Sequence, residues 1–338
     1  MVVQRQRQRQ QRQQQQQHQI KEVDLIQHNM KYILAQPAIN YYSWQIEVSI
    51  NSIIENKVQP GDIHIVSGIQ NGSIPESFSK LQERFPDVVW SFYHDNRSER
   101  QREYVPSIRP HIMKKHWRKH PELQDEVIFY MEADTLITKP INQKFKLSKK
   151  WYLSDTISYI GHDYIVDRDP RFLDLFCGIV KIDSEVVKAN QDGSGGAQYI
   201  MKDLTEQYWE KVEHDCVEIY HQGSELINTI KAEDPDWHPI QIWTSCMWSH
   251  LWNGWLLGSE TECPKEMDFT WATDPKSHLD DRSIYHNAGV TKDHNDVLNK
   301  ADYIHELPYD KKINIDQSKA GAWYYAKVQQ VGKTSCLK

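Results

Sequence analysis

The sequence has no C-x-x-C pair, and its five cysteines (Cys177, Cys216, Cys246, Cys263 and Cys336) are odd in number and widely scattered. That excludes a zinc ribbon or a disulfide framework as the basis of the fold and points to reduced thiols in an intracellular setting. No run of about 18 apolar residues occurs, so no membrane span is expected. No signal-peptide pattern opens the chain. A basic excess is also missing: 40 Lys and Arg stand against 47 Asp and Glu, a formal net charge of −7, so nothing global points to nucleic acid. There is no internal repeat. The glycine-rich stretch Asp192-Gly193-Ser194-Gly195-Gly196 lacks the spacing and the lysine of a phosphate-binding P-loop.

What remains is a chain of 338 residues, long enough for a large core, with 12 Trp and 17 Tyr. Sugars stack on such rings, and large cores use them too. Residues 1–20 are largely Gln and Arg, with one late His and no apolar periodicity. They read as a disordered tail, either solvated or touching an anionic polymer. Folding is expected to begin near Lys31. Tyr32 to Ala35 forms a strand ending at Gln36-Pro37, and Trp44, Ile46, Ile50, Ile53 and Ile54 mark an amphipathic helix. A strand over 63–69, a loop and helix over 71–85 and a strand over 88–93 complete a doubly wound α/β pattern.

The next stretch, Pro110 to Lys119, is a basic helix burying Ile112, Met113 and Trp117. Its His111, His116 and His120 suit either a metal or a solvated basic helix end, and the second is expected. Trp151 to Ile165 has no clean period and reads as a pocket wall. Phe172 to Asp183 reads as another buried strand, with Gly178 inside it marking a close backbone approach. Asp192 to Gly196 reads as a flexible loop leading into a helix from Ala197. Residues 203–232 are amphipathic helix, and Trp248, Trp252 and Trp255 share one helix face as a core stripe.

The stretch that organises the rest is Glu126 to Ile137. Val127 to Met131 is an unbroken apolar run, as in a strand buried on both faces of a parallel sheet. Glu132 and Asp134 follow at once, where open α/β sheets bind ligands. Two hard oxygen donors there suit a divalent cation holding a substrate diphosphate. Late in the chain, His286 ends a short apolar run beside a glycine, and neutral imidazole is a good ligand for manganese or zinc.

Taken in order, these stretches resemble the GT-A-fold glycosyltransferases. Tyr42-Ser43-Trp44-Gln45, then Tyr104, Pro106, Arg109 and Pro110, then Met131-Glu132-Ala133-Asp134 are similar to three spaced motifs of plant hydroxyproline O-arabinosyltransferases and peptidyl-serine galactosyltransferases. The stretches FCGIV and IYHNAG are similar to late motifs of glycogenin-like transferases. The resemblance covers residues 31–290. It implies a GT-A-like α/β fold, a mixed and mainly parallel sheet flanked by helices. That gives one domain over 21–325, with a donor half over 31–137, an acceptor half over 138–325 and a tail over 326–338.

The same resemblance implies Mn2+ or Mg2+ held by Asp134, Glu132 and His286, and a nucleotide-sugar donor, a UDP-sugar. Arg109 would approach the diphosphate, with Ala35, Gln36, Gly178 and Gly289 among the donor-binding residues. The family's W-x-x-E-M motif has no clear counterpart: the segment Trp237 to Trp243 offers Gln241 but no Glu. The base is therefore not carried over, and Asp268, Asp280, Asp281 and Gln241 are the candidates. The expected acceptor is a hydroxyl on a glycan, a protein or a hydroxymethylated DNA base, the last using the basic 110–119 helix and the Arg/Gln tail. A transferase without an anchor fits the cytoplasm of a bacterium or a virus-infected host. The other reading is a non-catalytic carbohydrate-binding protein that uses the Trp-rich region.

Overall fold

The computed structural model describes residues 30–70, 72–141 and 149–338; the Gln/Arg segment 1–20 lies outside them. Along the described chain run strands β1 (Met30–Pro37), β2 (Ile63–Ile69), β3 (Val89–His94), β4 (Val127–Met131) and β5 (Thr135–Ile137). They are followed by β6 (Lys150–Asp155), β7 (Gly195–Met201), β8 (Glu260–Glu262), β9 (Phe269–Trp271) and β10 (Ile284–His286). Seven of them form one sheet in the order β3-β2-β1-β4-β7-β6-β8, and β5-β10-β9 form a second, small one. The first four strands of the large sheet are parallel, β7 is antiparallel to both β4 and β6, and β8 is parallel to β6. This is the mixed, mainly parallel α/β sheet expected from the sequence.

Strand alternation divides the interior. Ile128 and Tyr130 of β4 join one apolar cluster, with Ile33 and Ala35 of β1, while Phe129 and Met131 join another with Tyr32 and Leu34. Each face needs a helical cover, because a side chain of this size stabilises the fold by about 1.5–3 kcal/mol only when it leaves water. Helix Ile108–Lys119 supplies Ile108, Ile112, Met113 and Trp117 to the first face. Helix Asn40–Glu55 supplies Ile46, Ile50 and Ile53 to the second. Its other side carries Trp44 and Val48 into a third cluster with Leu136 and Tyr285, which ties the small sheet to the large one.

Four expectations are corrected. Phe172 to Asp183 is no strand: Pro170–Val180 is a helix, burying Phe172, Leu173, Phe176, Cys177 and Val180. Asp169 caps it by accepting a hydrogen bond from the Arg171 backbone nitrogen, and Pro170 occupies its first turn, where no amide partner is needed. Gly178 is exposed on this helix and is not the interior strand glycine expected from the sequence. Second, Gly195 to Met201 is strand β7 and not a loop entering a helix. Its glycines serve close approach, since a Cβ on Gly195 would lie 2.4 Å from Leu153 Cβ of the neighbouring β6.

Third, His111 and His116 are not at a solvated end. His116 is fully buried and His111 bonds Glu213 and Asn96 at 2.7 and 2.9 Å. Fourth, helix Ala320–Gly332 runs across the boundary at 325 and buries Tyr324, Val328 and Val331 with Trp44 and Tyr285, so 326–332 belong to the folded unit. The Trp stripe is as expected: Trp248, Trp252 and Trp255 are buried. Among the described residues no helix is long and apolar enough to cross a membrane.

Candidate functional site

The chain leaves β4 at Met131 and turns directly into β5, which puts Glu132 and Asp134 at the carboxyl edge of the parallel strands. Strand β10 then pairs antiparallel with β5, setting His286 opposite Thr135. The Asn287 backbone nitrogen donates to the Asp134 carbonyl oxygen at 3.1 Å, and Ser49 of the helix Asn40–Glu55 donates to the Thr135 carbonyl at 3.0 Å. Backbone pairing, not side-chain flexibility, thus sets the distance between the acids and the imidazole.

The result is a three-donor cluster: one ligand atom each of Glu132, Asp134 and His286, all within 4.8 Å of one another. His286 Nε2 lies 3.1 Å from Glu132 Oε2 and 3.3 Å from Asp134 Oδ1. It is buried and makes no well-formed hydrogen bond. A buried imidazole nitrogen set between two carboxylates, with no well-formed hydrogen bond among the described residues, fits a divalent cation bound by mixed oxygen and nitrogen donors. On the far side of the ring, Nδ1 lies 3.2 Å from the Gln198 amide, which also reaches Thr135 Oγ1 at 3.1 Å and Ser154 Oγ at 2.8 Å.

Two cations close the cluster. Arg109 ion-pairs with Glu132, and Lys300 ion-pairs with Asp134. Burial opposes ionisation of Glu132, but Arg109 and His286 overcome it and hold its carboxyl at about 2. Burial likewise opposes ionisation of Asp134, yet Lys300 and His286 hold it well below the usual carboxylate range. For His286 burial favours the neutral ring, while the two carboxylates, Asp134 foremost, raise it to about 9. The acids are therefore charged, and without a metal two anions are matched by two cations with a protonated imidazole in excess. Such a site takes a metal more readily when an anion arrives with it.

The structure places the other sequence candidates unevenly. Ala35 and Gln36 lie just past the Leu34–Met131 register pair, on the same edge as Glu132. Ala35 is buried in the core, and Gln36 is 1% exposed with both side-chain amide atoms unpaired among the described residues. Gly289 has φ +71°, and a Cβ there would lie 3.1 Å from the Trp271 ring, so it holds the backbone tight behind His286. Asp268 lines a cavity beside the cluster, with Trp271 and Arg282. Asp280 and Asp281 are exposed on the short helix His278–Asp281. Gln241 is exposed, and its backbone nitrogen donates to the Tyr164 hydroxyl at 2.9 Å.

Two residues of the site have no counterpart in the sequence reading, Gln198 and Lys300. Gln198 was hidden by the misreading of β7; the alternation of Gln198 and Ile200 with Tyr199 and Met201 was its only signal. Lys300 lies on the one-turn segment Lys300–Tyr303, and nothing local marks it.

No protein-family model matches the chain, and no curated protein matches it. Solved structures do. The bifunctional glycosyltransferase WbbM, in apo form, is 9% identical with a TM-score of 0.46, the match covering 91% of this chain and 50% of that one. This chain thus spans half the length of WbbM. The galactosyltransferase LgtC, in complex with donor and acceptor sugar analogues, is 12% identical with a TM-score of 0.44, covering 90% of this chain and 96% of that one. The mannosyltransferase PcManGT from Pyrobaculum calidifontis, in complex with GDP-Man and Mn2+, is 10% identical with a TM-score of 0.29, covering 68% and 72%.

Proposed function

We propose that this protein is a metal-dependent glycosyltransferase that moves a sugar from a nucleotide-sugar, a UDP-sugar, to a hydroxyl acceptor. One observation carries the reading: two carboxylates and a histidine converge at the carboxyl edge of a parallel sheet, each carboxylate also paired with a cation. Glu132, Asp134 and His286 would hold the divalent ion, which would supply charge stabilisation to a bound diphosphate. Asp134 is the first bet among the ligands.

The chemistry asked of the chain follows. Transfer breaks the bond between the anomeric carbon and a diphosphate oxygen, and the electron pair stays on that oxygen. The acceptor hydroxyl oxygen forms the new bond to the carbon and gives up its proton. Arg109 and Lys300, drawn off the two carboxylates, would face the charge that develops on the leaving diphosphate. The guanidinium fork of Arg109 suits paired phosphate oxygens. Of the late aspartates weighed as the base, Asp268 alone lines the cavity beside the cluster.

Two rival readings lose ground. The carbohydrate-binding reading needs an exposed aromatic face, but Trp248, Trp252 and Trp255 are buried and Trp237 is half-buried, which leaves Trp243, 59% exposed, as the exposed tryptophan of that region. The DNA-acceptor reading needs free cations on the helix Ile108–Lys119. Lys114 is paired with Glu213 at 2.7 Å, Arg118 with Glu206 at 2.5 Å, and Arg109 with Glu132, which leaves Lys115 and Lys119 as the cations of this helix without an ion pair among the described residues.

Isothermal titration of UDP with and without Mn2+ tests the proposal. UDP binding that requires Mn2+ and is lost in Asp134→Ala is expected. Binding that ignores Mn2+, or that survives intact in Asp134→Ala, overturns it.

A further inference from the structure

A cavity of about 560 Å3 adjoins the cluster, lined among others by Asp155, Tyr159, Asp268, Trp271, Asp274 and Arg282. Its size falls within the roughly 300–1,000 Å3 of small-molecule sites. It shares a wall with the cluster. Trp271 is the register partner of His286 across β9 and β10, and the rings of Phe269 and His286 stand 5.2 Å apart. The Tyr159 hydroxyl is kept protonated by burial and by the negative charge of Glu132.

The polar lining falls into two sets. Asp274 and Arg282 are committed to the wall. Arg282 Nη1 donates to Asp274 Oδ2 at 3.0 Å and to the Phe269 carbonyl at 2.8 Å, and the Trp271 backbone nitrogen donates to the same Asp274 oxygen at 3.1 Å. His278 Nδ1 sits 3.2 Å from that oxygen as well. The other set is free to meet a ligand. Among the described residues Asp155 accepts only from the Ile157 backbone nitrogen, through Oδ1 at 2.9 Å. The Asp268 carboxylate has no hydrogen-bond or ion-pair partner among the described residues, although it is half-buried and burial pushes its carboxyl up. A half-buried carboxylate with no donor from the protein is open to one from a ligand.

We propose that this cavity seats the acceptor as an uncharged sugar ring. Sugar hydroxyls donate to Asp155 and Asp268, while an apolar face of the ring packs on Trp271 or Tyr159. The wall's single guanidinium is already held by Asp274, so a phosphate or uronate group would meet the two free carboxylates with no cation to match it. The assignment excludes a nucleic-acid acceptor at this position. That the sugar is an acceptor rests on the glycosyltransferase reading; that the cavity binds a neutral sugar does not.

Saturation-transfer NMR on the full chain with Mn2+ and UDP tests it. The probes are methyl glycosides of glucose, galactose, mannose, xylose and N-acetylglucosamine, with methyl glucuronide and a thymidine octanucleotide as anionic counterparts. At least one neutral glycoside is expected to receive saturation and the anionic probes none. Asp268→Asn and Trp271→Ala should each weaken that signal about tenfold, and Trp271→Phe should keep most of it. A thermal melt of each variant separates loss of binding from loss of fold. Silence from every neutral glycoside, anionic probes that bind as well, or folded variants with undiminished signal would each overturn the proposal. The Mn2+-dependent UDP titration on the same sample separates the two readings. Glycoside binding without Mn2+-dependent UDP binding sinks the transferase and keeps the cavity, and the reverse sinks the cavity alone.

Discussion

Gln198 stands 3.2 Å from Nδ1 of His286, on the side of the ring turned away from Glu132 and Asp134. The same amide meets Ser154 Oγ at 2.8 Å, and Ser154 Oγ lies 2.7 Å from the Met267 carbonyl. A hydroxyl has one hydrogen, so it cannot donate to the Gln198 oxygen and to Met267 together. Turning the amide over resolves this: its nitrogen donates to Ser154, and its oxygen accepts from Nδ1–H of His286. Amide orientation is assigned from such networks. That tautomer leaves Nε2 with a lone pair facing the carboxylates, as a metal ligand requires.

From this follows a rescue experiment. Gln198→Leu is expected to weaken Mn2+ binding by about 10–100-fold, the usual effect of removing the partner behind a ligating histidine. Gln198→Glu, which still accepts from Nδ1–H, should restore most of it. Mn2+ titration followed by electron paramagnetic resonance reads both, and equal affinities in the two variants would show that Gln198 does not orient the ring.

Lys300 makes a prediction of opposite signs. Its ammonium now neutralises Asp134, so Lys300→Ala should tighten binding of Mn2+ alone and loosen binding of UDP in the presence of Mn2+. A shift of about tenfold each way corresponds to about 1.4 kcal/mol. Calorimetric titration of the metal alone and of UDP with metal measures the pair, and a change of the same sign in both would remove Lys300 from the diphosphate's surroundings.

Acid should destabilise the protein before its carboxylates titrate. Tyr93 Oη lies 3.0 Å from His116 Nδ1, and His116 Nε2 lies 3.1 Å from His64 Nδ1, a chain that two neutral rings satisfy. Burial lowers His64 from 6.5 to about 4 and His116 to about 2, and it lowers His250 to about 3. Because the folded values lie below the unfolded one, the unfolded chain binds more protons in this range. The contribution of these rings is complete above pH 6.5 and is lost as pH falls towards 4. Each ring removes up to about 1.4 kcal/mol of stability per pH unit there. Urea denaturation at pH 7, 6 and 5 should show this slope, with a shallower one in His116→Gln. Parallel slopes would place the acid sensitivity elsewhere.

The tryptophans divide by burial. Trp252→Ala should cost about 3–5 kcal/mol, as for a large core side chain, and Trp243→Ala should stay within about 0.5 kcal/mol. Denaturant melts measure both. If Trp243→Ala abolished a glycan binding that persists in EDTA, the carbohydrate-binding reading would return.

The parallel half of the fold was legible because its signals are local. Val127–Met131 is apolar without a break, Trp44 to Ile54 repeats at helical spacing, and Pro60-Gly61 marks a turn. The errors came where two structures share one pattern. In Phe172 to Val180 an apolar run concealed the spacing 172, 173, 176, 177, 180, and the Asp169-Pro170 start signal went unread. In Gly195 to Met201, glycines that allow close strand packing look in sequence like those of a flexible loop. The carboxylates and His286 came together in the structure as the motifs implied. Lys300 did not show, because an ion pair between residues 166 positions apart leaves no mark in either neighbourhood.

The small sheet has a consequence for the newborn chain. Among the described residues β5 finds its strand partner in β10, which in turn pairs with β9, so the stretches that bring Asp134 and His286 together are made far apart in time. A ribosome that has released β1 to β4 and their helices exposes the acids without the imidazole or the lysine that complete the cluster. Metal and donor handling would therefore switch on late in synthesis, once the distal third of the chain has threaded back against the start.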